Sequence, residues 1–150
     1  MQHRKLVLLL AGAGLAVLAL AGEHRDWLER YLQLSQAIYE HFDLRLPLNI
    51  FIASEVPPGT GLGSSSTTTV TLCHIFSTLI GQLNGKRELA ELAYQIETQR
   101  MGAPIGKQDQ YASAFGGLNC FEFSPEGVRV SPLTIEVATI RALERRIMLF

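Results

Sequence analysis

Residues Pro57 to Thr69 read Pro-Pro-Gly-Thr-Gly-Leu-Gly-Ser-Ser-Ser-Thr-Thr-Thr, a glycine-rich run passing directly into a cluster of hydroxyls. Gly59, Gly61 and Gly63 allow the backbone to take positive φ and to approach a ligand closely, so successive N–H groups can point into one concavity. A helix beginning near Ser64 would add the unpaired N–H donors of its first turn and the positive end of its dipole. Ser64, Ser65 and Ser66 could then cap that helix, donate to phosphate oxygens or ligate Mg²⁺. The chemistry this suits is anion binding, a cradle for phosphate. It is not a P-loop, because no lysine follows Gly63, and it is not a dinucleotide fingerprint, because Ser64 or Ser66 stands where a third Gly or Ala is required. A serine- and glycine-rich linker has similar composition. The apolar residues on both sides, Ile50, Ile52 and Val56 before it and a long periodic segment after it, favour the cradle.

The elements that must position this loop are legible in the apolar spacing. Asp26 to Phe42 carries Trp27, Leu28, Tyr31, Leu32, Leu34, Ile38 and Phe42 among charges, an amphipathic helix whose aromatics belong to the core. Leu46 to Ser54 reads as a strand ending at the Pro57-Pro58 break. Thr67 to Leu83 reads as a helix with a wide apolar face; its threonines are weak helix formers, so burial must hold the first turn. Leu89, Leu92, Ala93 and Ile96 form one helical stripe after the Asn84-Gly85 turn, and Glu97 lies at its edge, placed for partial burial. A short helix is expected at Asp109 to Phe115, where Asp109 can serve as an N-cap. Lys107 and Arg100 are near it in sequence, either as surface charges or to neutralise phosphoryl charge or keep Asp109 ionised. Leu118–Phe123 and Val128–Leu133 read as a hairpin around Ser124-Pro125-Glu126-Gly127, followed by a helix over 136–146 and a strand from Ile147.

Composition excludes several classes. A net charge of −1 over 150 residues leaves no basic footprint for nucleic acid. The two cysteines, Cys73 and Cys120, have no paired spacing, which argues against a zinc site or a disulfide framework, and both are expected as small core residues. Residues 1–22 stand apart. His3, Arg4 and Lys5 precede an apolar run from Leu6 to Leu20, and Ala19-Leu20-Ala21 fits the small-x-small pattern of a secretory cleavage site. The run is short for a membrane span, so stable insertion is not expected, and a signal peptide competes with a buried helix or strand.

Pro-Pro-Gly-Thr-Gly-Leu-Gly-Ser-Ser-Ser resembles the ATP-binding motif of the GHMP kinases, the galactokinase, homoserine kinase, mevalonate kinase and phosphomevalonate kinase superfamily. Gly102 to Asn119, with its Gly-Lys-Gln-Asp-Gln-Tyr and Phe-Gly-Gly-Leu-Asn words, resembles the segment that carries the catalytic aspartate, closest to the D-glycero-D-manno-heptose 7-phosphate kinases. The similarity runs over about residues 48 to 150. It implies an α+β fold, the partial N-terminal ATP-binding domain over 23–150 after an atypical start over 1–22, incomplete at both ends. It also implies ATP and Mg²⁺ as cofactors and ATP-dependent phosphotransfer to a hydroxyl of a sugar or sugar phosphate, in the cytoplasm unless the signal-like start directs export. By the same resemblance Pro58, Gly59, Thr60, Gly61, Leu62, Gly63, Ser64, Ser65 and Ser66 hold the triphosphate. Ser65 and Glu97 hold Mg²⁺, and Asp109, twelve positions after Glu97, orients or deprotonates the acceptor hydroxyl. The family's first and third motifs are not recognisable here. A catalytically inactive remnant, or an interaction module, that keeps the fold is the alternative.

Overall fold

The structure is a computed structural model that describes residues 7–11, 14–18, 25–54 and 60–148, with side chains for 29–54 and 60–148. Pro58 and Gly59 of the loop, Ala19-Leu20-Ala21 and the side chain of Trp27 lie outside the described residues. The architecture is mixed helix and strand, as the α+β reading requires. The early apolar run folds as an antiparallel hairpin, β1 (Val7–Ala11) with β2 (Gly14–Leu18). Helix α1 (Arg25–His41), α2 (Ser64–Leu79), α3 (Lys86–Gln95) and α4 (Gln108–Phe115) follow, α3 running directly into a π-helical turn at Ile96–Arg100. Among the described residues no helix is long and apolar enough to cross a membrane.

The core of this first unit, which ends at Phe115, is helical. Leu34 and Ile38 of α1, Val70, Leu72, Cys73 and Phe76 of α2, and Leu89, Ala93 and Ile96 of α3 and its extension close on one another with Leu44. Their spacings of three, four and seven place each set on one helical face. Phe76 is the centre: it is 1% exposed and meets the rings of Tyr39 and Phe42 edge-on, at 6.4 and 6.0 Å between centroids. Edge-to-face pairing adds to the area those rings bury.

Helix α2 begins three residues earlier than its apolar pattern suggests. Its threonines satisfy themselves, since Thr68, Thr69 and Thr71 Oγ1 donate to the carbonyls of Ser64, Ser65 and Thr67 at 3.0, 3.0 and 2.8 Å. The side chains that disfavour a helix in isolation are thereby returned to its backbone, and Thr69 is fully buried.

Two expectations are corrected here. Leu46–Ser54 is not a strand: Leu48, Ile50 and Ile52 alternate inward in the period-2 pattern, but the segment has no ladder partner among the described residues. Alternation records which face is buried, whereas a strand also needs a neighbour to accept its N–H groups. Cys73 is a core residue, but Cys120 is exposed. Cys120 alternates out of a two-stranded sheet with little to cover it.

The second unit, from Gly116 onward, contains the antiparallel pair β3 (Asn119–Ser124) and β4 (Gly127–Pro132), then α5 (Val137–Glu144). Ser124 pairs with Gly127, leaving Pro125-Glu126 as a two-residue turn, and Gly127 takes a φ of 139° that favours glycine.

Candidate active site

The glycine-rich loop enters α2 through two left-handed residues. Gly61 has φ 73° and Gly63, the residue that caps the helix, has φ 70°. No side chain caps this end. Thr67 N–H bonds Gly63 O at 2.9 Å as the first helical hydrogen bond, so the amides of Ser64, Ser65 and Ser66 precede the ladder and point out of the helix end. A groove of about 290 Å³ opens beside this end, lined by Ile50, Ile52, Leu62, Thr67, Leu72 and Ile75 among others. A larger cavity of about 410 Å³, lined by His41, Asp43, Ile80 and Asn84 among others, sits at the opposite end of α2.

Asp109, in the first turn of α4, stands against this loop. A Cβ built on Gly63 would lie 3.6 Å from Asp109 Cβ and Cγ and 3.7 Å from its Oδ2. The carboxylate is exposed. The chain thus brings together two residues 46 positions apart, and the absence of a side chain on Gly63 keeps the space between them open. Thr67 Oγ1 and Ser113 Oγ, 2.9 Å apart, also join α2 to α4.

Glu97 is more deeply placed than its edge position suggested, at 3% exposure. It lies in the π-helical turn, a widening of the backbone closed by Met101 N–H to Ile96 O at 3.3 Å; such turns are rare and concentrate at functional positions. Its Oε1 accepts from Thr69 Oγ1, which shares its one hydrogen between this oxygen and the Ser65 carbonyl. Its Oε2 accepts from Ser66 Oγ at 3.2 Å and from Gln110 Nε2 at 2.7 Å. Gln110 Nε2 also reaches Ser66 Oγ at 3.1 Å. Ser65, half-buried, sits one residue before Ser66 on the same turn, its carbonyl accepting from Thr69. All of Glu97's partners are neutral, and among the described residues no cation pairs with it. Its charge is felt at Cys73, whose thiol is pushed up to about 12, first by burial and then by Glu97.

Lys107 is engaged elsewhere. Its Nζ lies 2.7 and 3.0 Å from the two oxygens of Glu91 on α3 and 5.0 Å over the Tyr94 ring. Tyr111 Oη donates to the same carboxylate at 2.6 Å. Burial pushes Glu91 up, but the bonds from Lys107 and Tyr111 and the charges of Lys107 and Arg87 outweigh it and hold the carboxyl below its usual range. Tyr111 is raised to about 12 by burial and by Glu91. Lys107 is therefore neither a free surface charge nor aimed at Asp109. Arg100's charge is felt at His41, which burial and then Arg100 hold below its ordinary value.

The residues that spacing alone did not single out are Thr69, Gln110, Glu91 and Tyr111. Polar residues on an otherwise apolar helix face are the available signal for Thr69, but no spacing rule pairs residues 28 or 13 positions apart.

An oxygen-only set of one carboxylate and hydroxyls suits a hard cation such as Mg²⁺. Among the described residues no three His, Cys, Asp or Glu side chains converge on a metal site. One carboxylate shared with waters and phosphates is how Mg²⁺ is commonly held, so the residues present fit it.

The sequence profile of the GHMP kinases N terminal domain matches residues 28–117. The chain belongs to the GHMP kinase family. It is 41% identical over 106 residues to the D-glycero-alpha-D-manno-heptose 7-phosphate kinase of Campylobacter jejuni, an alignment covering 70% of this chain and 31% of that protein. It is 37% identical over 78 residues to the mevalonate kinase of Pyrococcus horikoshii, covering 52% of this chain and 23% of that one. Among solved structures it superposes on a D-glycero-D-manno-heptose 1-phosphate kinase from Bacteriodes thetaiotaomicron with a TM-score of 0.68 and 32% identity, over 93% of this chain and 47% of the other. The chain thus spans less than a third of the length of these curated relatives.

Proposed function

We propose that this chain holds ATP and transfers its γ-phosphoryl to a hydroxyl of a sugar or sugar phosphate. The observation that carries the reading is the meeting of Asp109 with the Gly63 end of the loop, while the neighbouring Gln110 is bonded to the buried Glu97. The amides from Gly61 to Ser64, continuing the segment from Pro58 through Thr60 and Leu62 and on to Ser66, cradle the triphosphate. Ser65 and Glu97 hold Mg²⁺, with Ser66 and Thr69 fixing the carboxylate. When bound, the ion neutralises charge on the phosphates. Asp109 orients the acceptor hydroxyl and takes its proton as the new P–O bond forms and the bond from the γ-phosphorus to the bridging oxygen breaks, releasing ADP, a role that its exposure to arriving substrate suits. The groove beside the loop, which Leu62 and Ser64 help to line, offers a concave surface for the rest of the nucleotide.

A phosphorylated heptose is the first acceptor to test, because two of the three relatives named above, those from Campylobacter jejuni and Bacteriodes thetaiotaomicron, are named as heptose phosphate kinases. Their names give different phosphate positions, so the 7-phosphate and the 1-phosphate belong in the same assay. We place the reaction in the cytoplasm, where ATP is available.

The test is calorimetric titration of the purified chain with ATP, with and without Mg²⁺, beside a Ser65→Ala, Glu97→Ala double variant. Magnesium-dependent binding that the double variant loses supports the reading and justifies a sugar-phosphate screen. A folded chain that binds no nucleotide overturns it and leaves a remnant that keeps the fold without the activity.

A further inference from the structure

Gln110 has a bonding pattern that packing does not account for. It is fully buried, its Nε2 donates to both Glu97 Oε2 and Ser66 Oγ, and its Oε1 has no hydrogen-bond partner. A buried acceptor left without a donor is unfavourable, and a methionine would fill the same volume without it. The donor side is therefore what the position is built around. Gln110 directly follows Asp109 at the start of α4. Consecutive residues on a helix point about 100° apart, so locking one to Glu97 fixes the direction of the other.

We infer that Gln110 is a positioning residue that couples the two working carboxylates of this site. It holds Glu97 in the orientation in which that carboxylate binds a cation, and through the first turn of α4 it holds Asp109 beside the Gly63 end of the loop. Its unpartnered Oε1 is the acceptor for a donor that arrives with the ion, such as a water of a hydrated cation. The inference rests on the reading of Glu97 as the cation-binding carboxylate.

The experiment titrates the full chain and its variants with ATP at fixed Mn²⁺ levels, following bound Mn²⁺ by paramagnetic resonance, and separately with ATP in chelator. Partners that orient a metal-ligating side chain are worth roughly 10–100-fold in metal affinity. Gln110→Met is expected to lose Mn²⁺ affinity in that range while its metal-free ATP affinity stays within twofold of native, a split that loosened packing alone would not produce. Ser113→Ala, on the same helix, is the control and keeps native Mn²⁺ affinity. If Gln110→Met fails to fold by circular dichroism, Gln110→Asn keeps the amide but is one methylene too short for both acceptors, and it is expected to show the same loss.

Native Mn²⁺ affinity in either folded variant, with Glu97→Gln losing it, overturns the role given to Gln110 and leaves the proposed function standing. No Mn²⁺-dependent ATP binding in the native chain overturns the proposed function and this inference with it.

Discussion

Replacing Gly63 and Gly61 one at a time by alanine separates two effects that a loop substitution normally mixes. Both glycines sit in the left-handed region, at φ 70° and 73°. An alanine there costs about 1–2 kcal/mol in backbone strain, against which the stiffer unfolded chain returns about 0.4–1 kcal/mol. Gly61 has nothing within 4 Å of a new methyl, so Gly61→Ala should cost about 1 kcal/mol and no more. At Gly63 the methyl would meet Asp109 at 3.6–3.7 Å, ordinary contact without a clash. What distinguishes Gly63 is its place as the N-cap, where alanine is a poor substitute and adds about 1 kcal/mol. Gly63→Ala should therefore lose about 2 kcal/mol. For a chain of this size each kcal/mol moves the thermal midpoint by about 2–4 °C. Urea denaturation read by circular dichroism measures both variants against the native chain. A difference above about 3 kcal/mol between them would mean that Asp109 presses on the loop more tightly than the contact distances allow. A gain in stability in either would mean that the residue is not left-handed. Both should weaken ATP binding, because the direction of the following amides depends on those φ values.

Asp109→Asn should abolish phosphoryl transfer in any active preparation while leaving Mg²⁺-dependent ATP affinity near native; equal loss of both in calorimetry and a coupled assay would place Asp109 in nucleotide binding instead. Lys107→Met removes an ion pair about one-third exposed at each end, so a loss of about 1 kcal/mol in urea titration is expected, with unchanged nucleotide affinity; a large drop in affinity would return Lys107 to the phosphates. Phe76→Ala should cost about 3–5 kcal/mol in the same titration, and a loss under 1 kcal/mol would show that the core does not centre on that ring. Stability should also fall at high pH. Cys73 and Tyr111 both rise to about 12 in the fold, from 9.0 and 10.0, so their contribution is complete below the lower values and is lost as pH climbs toward 12, at about 1.4 kcal/mol per unit for Cys73 and less for Tyr111, whose hydroxyl is better solvated. Denaturation midpoints flat from pH 9 to 11 would contradict the burial of both.

The helices and the β3–β4 hairpin were legible because each is a local pattern: a stripe at three and four, an alternation, a Pro-Glu turn between apolar runs. The glycine-rich turn into α2 was legible for the same reason, since left-handed glycines and a helix start lie within a few residues. Leu46–Ser54 shows the limit. Its alternation was real, yet no ladder formed among the described residues, because pairing depends on a neighbour that local sequence does not name. Glu97's burial was only half legible. Its place beside the apolar stripe was readable, but not the π-helical turn or the three donors from α2 and α4 that make burial tolerable. Lys107 was misdirected by proximity in sequence; across α3 and α4, Glu91 sixteen positions away is the nearer charge.

Two carboxylates of the α3 segment, Glu91 and Glu97, differ in a way that bears on the proposed nucleotide binding. Glu91 is neutralised by Lys107 and its ionised form is favoured, so it serves as a tie between α3 and α4. Glu97 is surrounded by a serine, a threonine and an amide, none of them charged, and its negative charge reaches as far as Cys73. A net negative group bonded to Ser66, in the first turn of the helix proposed to hold phosphates, opposes the binding of a bare polyanion. Neutral donors can stabilise the carboxylate but cannot cancel that repulsion. A cation cancels it. The arrangement therefore predicts opposite effects of one substitution on two measurements: Glu97→Gln should bind metal-free ATP more tightly than the native chain and should gain little when Mg²⁺ is added. Calorimetry in chelator and in Mg²⁺ reads both. If Glu97→Gln instead weakens metal-free binding, the carboxylate's work is to hold the first turn of α2 in place through Ser66 and Thr69, and the ion must be sought elsewhere.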